Sequence, residues 1–460
     1  MTISEDKGAD SQPPVGATPS SNAISFKSAL WFWLKLGFIS FGGPAGQISV
    51  MHEELVERRR WLGERRFLHA LNYTMLLPGP EAQQLATYVG WLMHGTWGGL
   101  VAGVFFVLPS LAILIALSWI YLVYGDVAIV GAVLFGIKPA VTAIVLFAAY
   151  RIGSRVLTNP LLWGIALAGF VAIFALAVPF PAIVLGAALV GYFGGRWRPA
   201  FFAVDTSHHG DGQSYGPAVI DDDTELPAHA RFSLARCVRF IAVGALLGLG
   251  GFALIVAAVG WENALATMAV FFTKAAFLTF GGAYAVLPYV YQGVVDAYQW
   301  LTGPQMIDGL ALGETTPGPL IMIVAFVGFL AGWGQAVLGP DALFWGGVAG
   351  ACIATFFTFL PSFLFIFVGG PLVEATRGDL QFVAPLTAIT AVVVGVIVNL
   401  ALFFAYHVLW PAGFEGRLEW VALGIGVLAF VALFRLRIGI IPVIVASGAA
   451  GLAYSTLIAS

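Results

Sequence analysis

Long apolar runs, separated by short polar stretches or by clusters of glycine and proline, occupy most of this chain. The runs at 26–50, 98–121, 127–150, 161–178, 179–195 and 240–259 hold few charged residues, and similar runs continue toward the C-terminus. A stretch of about 17 to 25 apolar residues crosses a hydrocarbon layer of about 30 Å as a helix, whereas barrel strands read as alternations of about ten residues. The pattern predicts an all-α polytopic membrane protein. Within the run at 26–50 the triplet Gly42-Gly43-Pro44 breaks the helix, so this segment is predicted to enter the membrane, break and return.

The pattern also repeats. The segment from Phe32 through Lys35 to Phe41-Gly42-Gly43 returns 239 residues later, from Phe271 through Lys274 to Phe280-Gly281-Gly282. Trp61-Leu62 returns as Trp300-Leu301, and Pro78-Gly79-Pro80 as Pro317-Gly318-Pro319, at the same offset. Two related halves with matching helix breaks are the design of many secondary transporters. The expected organisation is a tail over 1–25, a first repeat over 26–198, a linker over 199–235 and a second repeat over 236–460.

Composition strengthens the membrane reading: 60% of the 460 residues are hydrophobic and only 10% are charged. The mean hydropathy is +0.92, far above that of a soluble domain. The first 25 residues are polar and lack an apolar core, which reads as a disordered cytoplasmic tail and not a cleaved signal. Two scattered cysteines, Cys237 and Cys352, define neither a disulfide framework nor a metal site. His208-His209 in the linker reads as part of a solvated loop, with metal binding as the lesser alternative.

Charge adds orientation. Arg196, Arg198, Arg231, Arg236 and Arg239 flank the linker, and Arg58, Arg59, Arg60, Arg65 and Arg66 crowd the loop between the first two breaks, so both are expected on the cytoplasmic side. The equivalent loop at 291–305 holds no Lys or Arg. The same element is thereby predicted to face opposite sides in the two halves, as inverted-topology repeats do, with the run at 240–259 supplying the extra crossing. Trp61 and Trp300 are expected to anchor at the interface.

Irregular backbone at membrane depth must line a cavity or pack against protein, because unsatisfied peptide groups are costly there. Four breaks in register therefore predict one central cavity. Helices starting after such breaks aim free N–H groups and a positive dipole end into it, the arrangement that binds anions. The bland alternative is that Gly42, Gly43, Gly281, Gly282, Pro78, Gly79 and Gly318 kink helices or permit close packing. Lys35 and Lys274 each lie six residues before a Phe-Gly-Gly triplet. A lysine within a membrane segment costs about 2.5 to 3.5 kcal/mol on insertion scales, so each either serves an anion or snorkels to the interface. Lys138, before Pro139, has no evident counterpart in the second half. Glu81 and Glu314 beside the Pro-Gly-Pro motifs are candidates for ion pairing or proton coupling, together with Lys138. Gln47, Gln83, Gln84, Thr315 and Thr316 are neutral donors able to complete an oxyanion shell.

Four motifs in order, Phe-Gly-Gly-Pro-Ala-Gly-Gln from Phe41, Leu-Pro-Gly-Pro-Glu-Ala-Gln-Gln-Leu-Ala-Thr-Tyr from Leu77, Phe-Gly-Gly-Ala-Tyr-Ala-Val-Leu-Pro from Phe280 and Gly-Glu-Thr-Thr-Pro-Gly-Pro-Leu from Gly313, resemble the chromate ion transporter (CHR) family in its long two-domain form. The resemblance spans nearly the whole chain except tail and linker. It implies two halves of opposite orientation and export of chromate across the bacterial inner membrane, giving chromate resistance, driven by the membrane potential or a proton gradient. Chromate is a tetrahedral dianion that suits paired N–H ends and lysines, and sulfate, of equal charge and similar shape, is the expected competitor. The other readings are a sulfate or molybdate carrier, a chromate/sulfate exchanger, or an anion channel. No cofactor, metal or nucleic-acid partner is expected, and the chain lacks the nucleotide loop, haem-ligand pair or CxxC motif of a membrane reductase.

Overall fold

The computed structural model describes residues 24–41, 43–125, 127–198, 201–202, 217–221, 224, 227, 229–280, 282–375 and 383–459. Helix α1 (Phe26–Ile39) is capped by Ser25, whose hydroxyl accepts from the Ser28 N–H at 3.2 Å. Its apolar positions 29, 32, 33, 36 and 37 form one buried stripe. At 14 residues it spans about 21 Å, less than the hydrocarbon thickness. After the break come α2 (Gly43–His52), a π-helical turn (Glu53–Arg58), α3 (Glu64–Leu76) and the long α4 (Glu81–Tyr124). Two residues, His94 (φ −134°) and Gly95 (φ +65°), interrupt α4. The run predicted at 98–121 is therefore the second limb of a helix that starts directly after Pro-Gly-Pro. Then follow α5 (Ala128–Val156), α6 (Pro160–Phe174) and α7 (Phe180–Trp197).

After α8 (Leu234–Val259) the element order recurs. Helices α9 (Ala264–Leu278) and α10 (Ala283–Tyr291), a second π-helical turn (Gln292–Ala297) and α11 (Gly303–Thr315) reproduce α1 to α3 at the 239-residue offset. Even the backbone exceptions match: Arg60 and Gln299 have φ of +50° and +52°, and Gly43 and Gly282 of +68° and +94°. In place of the kinked α4 stand two helices, α12 (Ile323–Gly334) and α13 (Leu343–Ala375), joined by a turn through Gly339. That turn enlarges the offset to 252, so that Leu108-Pro109-Ser110 on α4 matches Leu360-Pro361-Ser362 on α13. The last three helices, α14 (Val383–Leu409), α15 (Trp420–Phe434) and α16 (Ile440–Ala459), correspond to α5, α6 and α7. Among the described α-helices only α8 has no counterpart, and Cys237 and Gly244 are its buried residues.

Among the described residues seven helices are long and apolar enough to cross a membrane: α4, α5, α7, α8, α13, α14 and α16. The halves interlock. Helix α5 packs against α14, α15 and α16 of the other half, α14 packs against α5, α6 and α7, and α4 lies against α13. Small residues allow these crossings: a Cβ on Gly191 of α7 would lie 2.6 Å from the Ala384 carbonyl oxygen, and one on the equivalent Gly451 of α16 would lie 2.4 Å from the Ala132 carbonyl oxygen.

The described residues of the linker dock on the first repeat: Gly63 donates to the Ile220 carbonyl at 3.0 Å, Ile220 to that of Trp61 at 3.1 Å, and Val219 to that of Arg60 at 2.9 Å. The arginine loop offered unpaired backbone groups, and the linker pairs them. His208 and His209 lie outside the described residues. Trp61 is not an interface anchor but a core residue, 8% exposed, edge-on to Phe32 at 5.2 Å and covered by the Arg59 guanidinium at 4.9 Å. Trp300 is half-buried and stacks on Tyr298 at 4.7 Å.

Candidate functional site: the crossing of the helix breaks

Each Phe-Gly-Gly break meets the Pro-Gly-Pro break of the other half. The Gly79 N–H donates to the Thr279 carbonyl at 2.7 Å, and the Gly318 N–H donates to the Ser40 carbonyl at 2.8 Å. Gly79 and Gly318 are equivalent, as are Ser40 and Thr279, so the two bonds form a reciprocal pair. Both glycines need their backbone freedom, at φ of +129° and +101°. Prolines on either side contribute no N–H, which limits the peptide donors that the irregular segment must satisfy.

Glutamines line this crossing. The Gln47 side-chain amide donates to the Gly318 carbonyl, Gln84 donates to the Pro78 carbonyl at 2.8 Å, and Gln83 donates to the Thr87 hydroxyl at 3.0 Å. All three are at most 1% exposed, and their amide oxygens have no hydrogen-bond partner in the protein. The same holds for the hydroxyls of Ser40, Ser110 and Ser362. Each unmatched buried polar group costs about 1 to 3 kcal/mol, so a cluster of six marks a place kept polar for something other than the fold. Glu81 opens α4 without a side-chain cap beneath it, and a Cβ on Gly282 would lie 3.6 Å from its carboxylate. Gly282 thus joins Gly79 and Gly318 around the crossing, a Cβ on Gly43 would meet nothing within 4 Å, and Gly42 and Gly281 lie outside the described residues.

The charged candidates separate into groups. Lys35 and Lys274 sit on the exposed flanks of α1 and α9, off the buried stripes. The Lys35 charge acts on Glu54 in the first π-helical turn. Glu314 is buried and accepts from the Tyr284 hydroxyl. Glu81 lies in the field of Arg151 and Arg155 on α5, and Arg151 acts on Glu314 as well. Thr315 and Thr316 return their hydroxyl protons to the carbonyls of Leu312 and Gly313, at 2.9 and 3.1 Å, closing the last turn of α11. Lys138 is half-buried and pairs with Asp308 at 3.3 Å, while Tyr121 donates to the other Asp308 oxygen at 3.0 Å. This trio lines a cavity of about 320 Å³ together with Gln305.

Sequence reasoning passed over Ser110, Ser362, Asp308 and Tyr284. The repeated Leu-Pro-Ser triplet was a readable signal, hidden by the change of offset from 239 to 252. Asp308 was also visible, as a carboxylate in the apolar stretch before Glu314.

Twice-repeated broken helices, interlocked around buried unmatched polar groups, define a polytopic α-helical membrane protein of the transporter class. The chain belongs to the chromate transporter family, whose model matches residues 27–192 and again 266–452. A chromate transport protein of Pseudomonas aeruginosa is 31% identical over 433 residues, covering 93% of this chain and 92% of the relative. One from Cupriavidus metallidurans is 29% identical over 86% of this chain and 87% of its own. A probable chromate transport protein of Synechococcus elongatus is 29% identical over 76% of this chain and 77% of its own. No solved structure matches the chain.

Proposed function

We propose that this protein is a secondary transporter that exports chromate from the cytoplasm across the inner membrane and thereby gives chromate resistance. The carrying observation is the reciprocal crossing, in which Gly79 bonds Thr279 and Gly318 bonds Ser40, so that each Phe-Gly-Gly break meets the Pro-Gly-Pro break of the other half among buried polar groups. A site shared between repeats is where such transporters bind their cargo. The matched family and the names of the relatives favour chromate over other oxyanions. Energetics favour export: moving a dianion out of a cell with a negative interior releases about 4.6 kcal/mol per 100 mV, at about 2.3 kcal/mol per charge.

In this mechanism the N-terminus of α4 and the second amide N–H of each of Gln47, Gln83 and Gln84 donate to the oxyanion at the crossing. Lys35 and Lys274 draw anions toward the breaks from the exposed flanks of α1 and α9. Glu81 and Glu314 carry the proton or the balancing charge, and the pair of Lys138 with Asp308 gates the polar cavity at the end of α4. The two repeats are inverted, and the tail and linker are cytoplasmic. Sulfate competes for the same site.

Radiolabelled chromate uptake into everted membrane vesicles tests this, with excess sulfate and an uncoupler in separate arms and with Lys35→Ala and Lys274→Ala alongside wild type. Uncoupler-sensitive accumulation, reduced several-fold in both variants, is expected. Uncoupler-insensitive flux that follows the imposed gradient would identify a channel, and normally inserted protein that takes up sulfate but no chromate would sink the chromate assignment.

A further inference from the structure

The buried polar groups at the crossing include two hydroxyls that neither the fold nor the proposed mechanism uses. Ser110 on α4 and Ser362 on α13 occupy equivalent positions in the two halves, each directly after a mid-helix proline. Their exposures are 0% and 1%, and neither hydroxyl has a hydrogen-bond partner in the protein. A buried hydroxyl on a helix normally returns its proton to a carbonyl one turn back. Neighbouring threonines do so: Thr358 bonds the Ala354 carbonyl at 2.7 Å, Thr87 that of Gln83 at 2.9 Å, and Thr279 that of Ala275 at 2.7 Å. The two serines do not.

Both serines abut the Pro-Gly-Pro glycine of the opposite half. A Cβ on Gly79 would lie 2.5 Å from the Ser362 hydroxyl and equally 2.5 Å from the Gln84 amide nitrogen, so two donors flank one point. A Cβ on Gly318 would lie 2.8 Å from the Ser110 Cβ and 3.2 Å from its hydroxyl. Any larger residue at 79 or 318 would push the serine away from the break. At both breaks, in register, a buried hydroxyl without a hydrogen-bond partner packs directly on the Pro-Gly-Pro turn of the opposite half, where only glycine lets it approach.

We infer that Ser110 and Ser362 are equivalent hydroxyl donors to a tetrahedral oxyanion, one at each crossing of a Phe-Gly-Gly break with a Pro-Gly-Pro break. This rests on the oxyanion reading above and extends it to two residues outside the glycine and proline motifs. Neutral hydroxyls suit a transport site, since they replace hydration without the deep trap that a buried cation would make for a dianion. Because each serine faces the Pro-Gly-Pro glycine of the opposite half, an anion bound there touches both halves, and sliding of α4 or α13 would withdraw its hydroxyl.

The test uses the purified full-length protein and its everted vesicles, comparing wild type with Ser110→Ala, Ser362→Ala, the double variant, and the hydroxyl-retaining Ser110→Thr and Ser362→Thr. Thermal unfolding is followed with chromate, with sulfate and with chloride at matched ionic strength, and chromate uptake is measured across concentrations. Wild type should be stabilised by both oxyanions beyond chloride. Each alanine variant should need at least about tenfold more oxyanion for the same stabilisation and show a KM for chromate raised by a similar factor, as for loss of one hydrogen bond to a charged group. The alanine variants should melt no lower than wild type without oxyanion, since an unmatched hydroxyl is removed, and the threonine variants should bind more tightly than the alanine variants. Unchanged affinity in the alanine variants, with wild type responding to chromate, would overturn the role of the serines and leave the transport reading standing. A wild-type response to sulfate alone, lost in the alanine variants, would uphold the serines and reject chromate as cargo. No response of wild type to either oxyanion would overturn both.

Discussion

At the scale of single residues, Gly79 and Gly318 carry the heaviest constraints. Each needs a positive φ, and each faces a side chain of the opposite half closer than a Cβ allows. Gly79→Ala and Gly318→Ala should each lose most chromate uptake while costing about 1 to 3 kcal/mol of stability, seen as a lower melting temperature of protein that still inserts. Outside the spanning helices, Glu54 supplies a pH prediction. Burial alone would raise its carboxyl, but the Arg59 hydrogen bond and the charges of Arg59, Lys35 and Arg58 outweigh this and hold it below the usual glutamate range. A depressed folded-state value means that the unfolded chain binds more protons, so the stabilisation is full above the ordinary glutamate range and is lost as pH falls through the lower folded value. Glu54→Gln should flatten the acid side of the stability profile, measured by thermal unfolding between pH 3 and 7 at about half-unit steps.

The glycine and proline motifs were legible because special backbone demands leave few alternatives in residue type. The serines were not, since a serine in an apolar helix reads the same whether its proton goes to its own carbonyl or into a cavity. For the lysines, spacing along the chain concealed direction: Lys35 is five residues before Ser40, which puts it about 140° around the helix from the residue that meets Gly318. The buried stripe at 29, 32, 33, 36 and 37 was itself readable and excludes position 35.

At the scale of elements, the recurrence is closer than sequence identity between the halves indicates. The π-helical turns at Glu53–Arg58 and Gln292–Ala297 occupy the same place, although Glu-Glu-Leu-Val-Glu-Arg and Gln-Gly-Val-Val-Asp-Ala share only Val56 with Val295. Hydropathy located the later helices well, because a run of apolar residues in lipid has no competing structure. It could not find the joint of α4 at His94 and Gly95, where polarity hardly changes, nor the docking of residues 219 and 220 on the arginine loop, which depends on backbone pairing. Close helix crossings give a test at this level. Gly451→Leu would drive a side chain into the Ala132 carbonyl and the Gly136 backbone, at 2.4 and 2.6 Å from its Cβ. It should destabilise the protein by at least about 3 kcal/mol, against under about 1 kcal/mol for Gly424→Leu, where a Cβ meets nothing within 4 Å. Fluorescence-detected size exclusion after graded heating would compare the two.

For the whole molecule, the interlocked halves make the central crossing a joint property: α5 and α14 each pack mainly on helices of the other repeat, so neither half closes the site alone. The arginine loop and the described linker residues touch, which places them on one side of the membrane together. In the proposed orientation their shared excess of arginine assigns that side to the cytoplasm, and inverted repeats would send the equivalent loop at 291–305 outward. Single cysteines at the exposed and equivalent positions Glu57 and Asp296, with Cys237 and Cys352 removed, should react with an impermeant maleimide from opposite sides. Labelling of both from one side would refute inverted repeats.

Transport of chromate by this chain alone is tested most directly in proteoliposomes of the purified protein, with radiolabelled chromate outside and potassium diffusion potentials of either sign. Uptake should exceed that of protein-free vesicles, increase when the lumen is made positive, decrease when it is made negative, and fall with excess sulfate. Chromate entry equal to that of protein-free vesicles at both potentials, with sulfate entry no higher, would contradict an oxyanion transporter.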